Sequence, residues 1–208
     1  LAMTVILLLF AATSSLAAES NRIRVGHFPT VTHAPALIAR GQGSFEKAFQ
    51  GVAVIDWKTF NAGSLAIEAL FAGEIDLLYT GPNPAVNGFV RSGGKALRII
   101  AGVASGGSAF VVREGSGIKR FEDIRGRRVA IPQIGNSQDV ALRHLMKEKG
   151  LKPTTEGGDV KIFRLTGGDQ IRVMARGDVD GIWTVEPWVS RLREEAKGKI
   201  LFEESELW

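Results

Sequence analysis

Two turns that lead from a strand into a helix carry residue types suited to binding an anion. In the first, within Ile75–Pro84, an apolar strand ends at Gly81, where the missing Cβ lets a ligand approach the backbone. Asn83 is a preferred capping residue, and Pro84 is of the type favoured at the first helical position. The pattern predicts a helix that begins at Pro84, with free N–H groups pointing past the end of the strand. Such groups form a ready anion site.

The second turn follows an apolar strand at Val129–Ile131 and leads into a helix that ends at Lys149. It contains Gly135, Asn136 and Ser137. Asn136 or Ser137 could cap the helix or donate a hydrogen bond to a ligand oxygen. Two turns of this kind in one chain predict a small anionic ligand held between them.

The elements that must position these turns are alternating strands and helices, which run from Ile23 onward. Such alternation is typical of an α/β fold with parallel sheets and crossover helices. Strands are predicted at Ile23–Phe28, Val52–Trp57, Ile75–Tyr79, Leu97–Val103, Ala109–Val112, Val129–Ile131, Val160–Phe163 and Gly181–Thr184. Helices are predicted at Pro35–Arg40, Ser64–Ala72, Pro84–Arg91, Ser137–Lys149, Asp169–Arg176 and Pro187–Ala196.

A small, polar stretch at Ser105–Ser108 divides this pattern into two parts. We expect a first α/β lobe over residues 19–105 and a second over residues 106–208, each holding one of the two turns. In open α/β sheets, ligands bind beyond the carboxyl ends of the strands. Both turns would therefore face a ligand in a cleft between the lobes. The sequence reaches Trp208 without a closing element, so we expect truncation at the C-terminus.

The N-terminal segment predicts export. An apolar run at Val5–Ala12 is followed by small residues up to Ala18, as in a secretory signal peptide over residues 1–18. The run is shorter than the roughly 20 apolar residues that a membrane-spanning helix needs. The chain contains no cysteine, so it has no disulfide, no lipid-attachment site and no thiolate chemistry. These features favour a periplasmic location.

The charged residues exclude several classes of function. The 26 basic and 22 acidic residues give a net charge of +4 and are interspersed, whereas a nucleic-acid binder would gather its Lys and Arg on one stripe. Three His without Cys disfavour a metal site. No cluster of His with carboxylates suits acid–base catalysis. We therefore predict neither cofactor nor catalytic residues.

Several longer segments together resemble the nitrate/sulfonate/taurine group of periplasmic solute-binding proteins. The similarity covers nearly everything after the signal peptide, in the same order. It is carried by Phe60–Gly63, Ala69–Asp76, Thr80–Pro84, Phe121–Ala130, Gly135–Ser137, Gly177–Gly181 and Trp183–Trp188.

This resemblance implies a periplasmic-binding-protein type II fold of two α/β lobes around a ligand cleft. In the family, a returning C-terminal segment completes the first lobe, so we expect that lobe to be incomplete here with apolar surface uncovered. Such proteins deliver an oxoanion-bearing solute to the membrane permease of an ABC importer, and we expect a monomer. The loop Gly26–Pro35 also borders the ligand in the family, which makes Thr32 and His33 candidate donors.

Glu186 and Trp183 point to a larger solute than a bare anion. Many family members have Asp-Pro where this chain has Glu186-Pro187. A carboxylate in the cleft would repel an anion but could pair with an amine or hydroxyl of an organic solute, although Glu186 could instead cap the next helix. Trp183, at a strand end, could stack on an organic tail, whereas Trp188 lies on an apolar helical stripe and is expected in the core.

The sequence thus favours binding of an aliphatic sulfonate or taurine-like compound over nitrate or bicarbonate. An enzyme on the same fold, such as a thiamine-pyrimidine synthase or a menaquinone-pathway enzyme, is disfavoured by the export signal and the missing catalytic cluster. A regulatory sensing domain is disfavoured because no helix-turn-helix segment precedes the lobes. The predicted ligand-binding residues are Thr32, His33, Thr80, Gly81, Asn83, Gly135, Asn136, Ser137, Trp183 and Glu186.

Overall fold

A computed structural model describes residues 21–207 and contains two separate β-sheets. The predicted signal peptide lies outside the described residues. The first sheet has three parallel strands in the order β2-β1-β3, with Arg22–His27 paired in register with Val54–Thr59. Its strands are β1 Arg22–His27, β2 Val54–Thr59 and β3 Leu77–Leu78, and its helices are α1 Ala34–Gln42, α2 Ser44–Ala48, α3 Gly63–Phe71 and α4 Pro82–Arg91. We call residues 22–91 the first lobe.

The second sheet has five strands in the order β6-β5-β7-β4-β8. Its strands are β4 Ser108–Val112, β5 Arg128–Ile131, β6 Lys161–Arg164, β7 Gly181–Val185 and β8 Lys199–Glu203, and its helices are α5 Ser137–Glu148, α6 Asp169–Ala175 and α7 Trp188–Glu195. We call residues 108–206 the second lobe. The prediction of parallel sheets holds for β5, which pairs in parallel with β6 and β7, but it is wrong for β4, which runs antiparallel to both β7 and β8. The boundary predicted near residue 105 stays a prediction.

The core of the second lobe occupies both faces of its sheet. Every residue of β4 is buried, with alternate side chains on opposite faces. Phe110 packs on one face with Trp183, Phe121 and Leu142, whereas Val111 packs on the other with Ile182, Met174 and Leu192. A sheet covered on both sides gives a strand no polar alternation, and β4 is correspondingly apolar.

Helix α5 shows how local sequence sets the ends of an element. Asn136 caps its N-terminus, and Gly150 follows its C-terminus in a left-handed conformation with φ of 64°. The predicted apolar stripe is buried against the sheet at Ala141, Leu142, Leu145 and Met146. The predicted helix, Ser137–Lys149, is one residue longer than the observed one.

The first lobe has a smaller core and more exposed apolar surface. Val25, Ala66, Ile67 and Ile75 are buried in it. The resemblance implied uncovered apolar surface here, and large apolar side chains are exposed at Val86, Phe89 and Val90 in this lobe and at Ile99, Ile100 and Val103 in the segment that follows it. The strand predicted at Leu97–Val103 is absent from the described structure. A strand requires a hydrogen-bonded neighbour, and this segment forms no ladder with the edge strand β3.

Candidate functional site

The two predicted turns meet where the lobes face each other. Gly81 precedes α4 of the first lobe, and Ser137 begins α5 of the second. A Cβ placed on Gly81 would lie 2.7 Å from Ser137 Oγ, so a larger residue at this position would require the Ser137 hydroxyl to move. The carboxyl-terminal ends of β3 and β5 thus bring the N-termini of two helices from opposite lobes together.

A third helix N-terminus joins them from α3. A Cβ on Gly63 would lie 2.6 Å from Pro84 Cγ, so the starts of α3 and α4 pack closely. Thr80 Oγ1 lies near this contact, is buried, and has no hydrogen-bond partner among the described residues. A buried hydroxyl without a partner is costly unless a ligand or water satisfies it. Thr80 is therefore a candidate hydrogen-bond donor to a ligand or a water molecule.

The first turn differs in detail from its prediction. Helix α4 begins at Pro82, with Gly81 as its N-cap, and not at Pro84 with Asn83 as the cap. Neither proline has an N–H group, so Asn83 supplies the only backbone donor among the first three helical residues. This turn therefore offers an anion fewer donors than the sequence predicted.

The second turn is held by its own side chains. Asn136 Oδ1 accepts a hydrogen bond from the Asp139 N–H at 2.9 Å, and Asn136 Nδ2 donates to Gln138 Oε1 at 2.9 Å. The Gly135 N–H donates to Asp139 Oδ2 at 2.8 Å, with Gly135 at φ of 80°. Asn136 is thus engaged in capping, which leaves Ser137 as the residue of this turn that approaches the first lobe.

Gln133 connects the second lobe to the start of α3. Its Oε1 accepts from the Gly63 N–H at 3.1 Å, and its Nε2 donates to Ser64 Oγ at 2.7 Å. Sequence analysis missed Gly63, Ser64 and Gln133 as site residues. The signal for the first two was present, because the mostly small residues at 61–64 follow β2 and lead into α3, as in the two recognised turns.

The loop after β1 places Val31 and Thr32 near the second lobe. The Val31 N–H donates to the Glu186 carbonyl oxygen at 3.2 Å, and Thr32 Cγ2 lies 3.4 Å from a Cβ placed on Gly107. Thr32 Oγ1 is 3.0 Å from Thr30 Oγ1. Thr32 is therefore positioned at the junction of the lobes.

His33 is buried and uncharged at neutral pH. Burial, and to a smaller extent the nearby His27, lowers its pKa from 6.5 to about 4. Its Nδ1 accepts from the Phe28 N–H at 3.4 Å, which assigns the ring proton to Nε2. His33 can consequently act as a neutral hydrogen-bond donor.

Glu186 caps a helix, and Trp183 belongs to the core. The Glu186 carboxylate accepts from Ser190 N–H at 3.1 Å and from Ser190 Oγ at 2.9 Å, while α7 begins at Trp188. Trp183 is fully buried and its Nε1 donates to Ser108 Oγ at 3.2 Å. The predicted stacking role of Trp183 does not fit this position, because its buried ring packs edge-on against Phe110 and Phe202.

The assembled groups are suited to hold an anion by neutral donors. They comprise the starts of α4 and α5 and the hydroxyls of Thr80 and Ser137. Within residues 21–207, no three His, Asp or Glu side chains are grouped so that they could hold a metal ion. In the same part of the chain, no helix is long and apolar enough to cross a membrane.

Comparison with known proteins identifies the family. Residues 16–208 match the NMT1-like family. The chain belongs to the NMT1-like family. Among curated relatives in this group, the taurine-binding periplasmic protein of Escherichia coli K12 is 28% identical over 193 residues, covering 93% of this chain and 57% of that protein. An Escherichia coli K12 protein named as an aliphatic sulfonates-binding protein is 30% identical, covering 96% of this chain and 61% of its own length.

Solved structures confirm the predicted two-lobe, type II fold. The alkanesulfonate-binding protein SsuA from Xanthomonas axonopodis pv. citri, bound to MOPS, matches with a TM-score of 0.73 and 26% identity, covering 92% of this chain and 63% of that one. The nitrate-binding protein NrtA from Synechocystis PCC 6803 matches with a TM-score of 0.71 and 17% identity, which shows the shared fold alone. This chain spans less than two thirds of the length of these relatives.

Proposed function

We propose that this chain is the solute-binding component of an ABC importer and binds a small oxoanion-bearing solute, with an aliphatic sulfonate or taurine-like compound favoured. The observation that supports the proposal is the buried, unpartnered hydroxyl of Thr80, which lies beside the packed starts of α3 and α4, together with the close approach of Gly81 to Ser137 at the start of α5. The names of the NMT1-like relatives, which include taurine- and sulfonate-binding proteins, support the choice of ligand class.

A sulfonate suits these groups chemically. Its three oxygens can each accept a hydrogen bond, and Thr80, Ser137 and the Asn83 N–H are donors at the junction of the lobes. Their neutrality matters, because a fixed set of dipoles stabilises an anion without a counter-charge that would itself need solvation. The Glu186 carboxylate, although bonded to Ser190, keeps free lone pairs that could accept from an amine of a taurine-like solute.

The remaining parts of the proposal follow from this role. The protein would act in the periplasm as a monomer and would hand its solute to a membrane permease. We propose no catalytic activity, because the relatives named above are binding proteins and the assembled donors include no nucleophile beside a base. Nitrate or bicarbonate is the alternative ligand, since the same donors accept any small oxoanion.

A panel of thermal unfolding measurements on the full chain tests the ligand class. The panel contains taurine, ethanesulfonate, nitrate, bicarbonate, a phosphonate and a thiamine-precursor pyrimidine. We expect the sulfonates to raise the melting temperature, because a ligand that binds only the folded state stabilises it. A rise with the inorganic ions alone would contradict the sulfonate proposal, and turnover of any compound would favour the enzyme alternative.

The substitution Gly81→Leu tests the position of the ligand. Its side chain would fill the space between Gly81 and Ser137, so we expect sulfonate-induced stabilisation to be lost while the protein still folds. Gly41→Leu is a matched control, because a Cβ on Gly41 meets no heavy atom within 4 Å. An unchanged sulfonate response in Gly81→Leu would remove this turn from the proposed site.

A further inference from the structure

Gln133 connects the lobes through a side chain and not through backbone alone. It lies two residues beyond β5, on the second lobe, and its carboxamide bonds both Gly63 and Ser64 on the first. A further hydrogen bond between the lobes, from Val31 to Glu186, joins backbone atoms only. The Gln133 contact can therefore be removed by substitution without altering the main chain.

The partner of Gln133 is an N–H group that its own helix leaves uncapped. Gly63 is the first residue of α3, and the N-cap residue Ala62 has no side-chain acceptor. The Gly63 position is also buried. Oε1 of Gln133 supplies the missing acceptor, so this helix is capped by a residue of the opposite lobe. The cap exists only while the two lobes are in contact.

We infer that Gln133 is an interlobe clasp that stabilises the closed arrangement of the lobes and slows the release of solute. Its effect on solute release rests on the proposed function, whereas its effect on the separation of the lobes does not. Each hydrogen bond contributes modestly, and two together correspond to about a tenfold change in a closing equilibrium.

Distance measurements between the lobes test the clasp directly. The chain has no cysteine, so Lys47→Cys and Lys147→Cys introduce the only thiols and place one spin label on each lobe. Both lysines are exposed, and they lie in α2 and α5 respectively. Electron–electron distance distributions are then recorded with and without taurine or ethanesulfonate, and solute release is followed by stopped flow.

Three variants give distinct expectations. Gln133→Ala should raise the open population about tenfold and speed solute release by a similar factor. Gln133→Glu should keep the closed distance, because a carboxylate can accept from both Gly63 and Ser64 at a helix N-terminus, yet it should weaken binding of an anion. Gln42→Ala, an exposed glutamine on α1, is the matched control and should change neither quantity. Thermal unfolding of each variant verifies that it is folded.

The outcomes separate the clasp from the proposed function. The inference that Gln133 is a clasp is wrong if Gln133→Ala leaves both the distance distribution and the release rate unchanged. It is also wrong if Gln42→Ala has the same effect as Gln133→Ala. If no solute in the panel binds the unsubstituted chain, the proposed function fails, but the distances without solute still test the clasp. Ser64→Ala removes one of the two bonds and should give a smaller shift of the same sign.

Discussion

In both lobes an aspartate of the same short sequence pattern bonds an arginine on a neighbouring strand, yet the two aspartates are buried to different extents. In the first lobe the aspartate is Asp76, three residues after Gly73, and in the second it is Asp180, three residues after Gly177. Arg24 on β1 bonds Asp76 through its backbone N–H, its Nε and its Nη2, and it also donates to the Gly73 carbonyl.

The second lobe repeats this arrangement and adds to it. Arg128 on β5 bonds Asp180 through its N–H at 3.0 Å and its Nε at 3.3 Å, and it donates to the Gly177 carbonyl at 2.8 Å. Arg113 on the other side of Asp180 adds a contact of 3.0 Å. The Asp180 side chain is 5% exposed, whereas that of Asp76 is 42% exposed. A larger sheet covered on both faces therefore buries the carboxylate of this pair, while its arginine partners stay partly exposed.

This difference in burial changes the balance of effects on the two carboxyl groups. Burial by itself would raise the pKa of Asp180, but hydrogen bonds from the Arg128 N–H and from the Arg113 and Arg128 guanidinium groups outweigh it and leave the pKa lowered. The pKa of Asp76 is lowered chiefly by the Arg24 side chain and backbone, with burial opposing less strongly. Removing the aspartate charge should thus lower the free energy of unfolding more in the second lobe than in the first.

The largest expected effect is that of Asp180→Asn. The amide carries no charge to pair with Arg113 and Arg128, and its own N–H groups would face N–H donors of these arginines. Removing one partner of a buried charge pair typically costs about 3–5 kcal/mol, and because Arg113 and Arg128 are partly exposed we expect a loss at the lower end, about 3 kcal/mol, in the free energy of unfolding. Urea unfolding at pH 7 measures it. Asp178→Asn, an exposed residue of the same loop, is the control and should change stability by less than about 0.5 kcal/mol.

Low pH should reduce the difference in the free energy of unfolding between Asp180→Asn and the unsubstituted chain. The folded-state pKa of Asp180 lies below the ordinary value of 3.8, so its contribution is complete above that value and is lost as the pH falls through the folded pKa. A difference in stability that stays constant between pH 6 and pH 3 would show that the charge of Asp180 is not the cause.

His33 in the first lobe should make the stability of the protein depend on pH in a higher pH range than Asp180 does. Its folded-state pKa of about 4 lies below 6.5, so the unfolded chain takes up a proton between these values and the folded chain does not. Stability from this group is complete above pH 6.5 and decreases toward pH 4. At about 1.4 kcal/mol per pKa unit, the loss approaches about 3 kcal/mol.

His33→Asn should remove this pH dependence. Asparagine keeps an acceptor for the Phe28 N–H but does not titrate, so its free energy of unfolding should be nearly flat between pH 6.5 and pH 4.5. Urea unfolding without solute, at several pH values, provides the comparison. His144→Asn is the control, because His144 is exposed and lies in the second lobe. An equally steep profile in His33→Asn would assign the acid sensitivity to other groups.

The elements that sequence predicted well are those whose ends carry their own signals. Helix α5 has a capping residue, an apolar stripe and a terminal glycine, and all three act within the segment itself. The strand predicted at Leu97–Val103 rested on apolar content alone. Apolar content does not reveal whether a neighbouring strand is present to pair with it. Strand β8 was missed, and its pairing with β4 comes from residues almost 90 positions away.

The site was predictable in outline but not in its contacts. Strand–turn–helix patterns locate Gly81 and Ser137, since these depend on neighbouring residues. The sequence could not predict that Trp183 points into the core. A strand buried on both sides shows no alternation of polar and apolar residues, so it gives no sign of which way a side chain points. The bond from Gln133 to Gly63 depends on how the lobes approach each other, which no local pattern encodes.

The smallest expected effect is that of Asp76→Asn, and it decides whether burial or the pattern itself determines stability. The Asp76 carboxylate is partly exposed, so water can replace part of what Arg24 supplies. Exposed ion pairs contribute up to about 1 kcal/mol, and we expect a loss of about 1 kcal/mol in the free energy of unfolding at pH 7. Added salt should shrink this loss, because exposed charges are screened, whereas the loss in Asp180→Asn should persist at 1 M salt. Glu74→Gln, in the same loop, is the matched control for removing one acidic charge. Equal losses in the two aspartate variants would mean that the shared pattern, and not the depth at which it lies, determines its contribution.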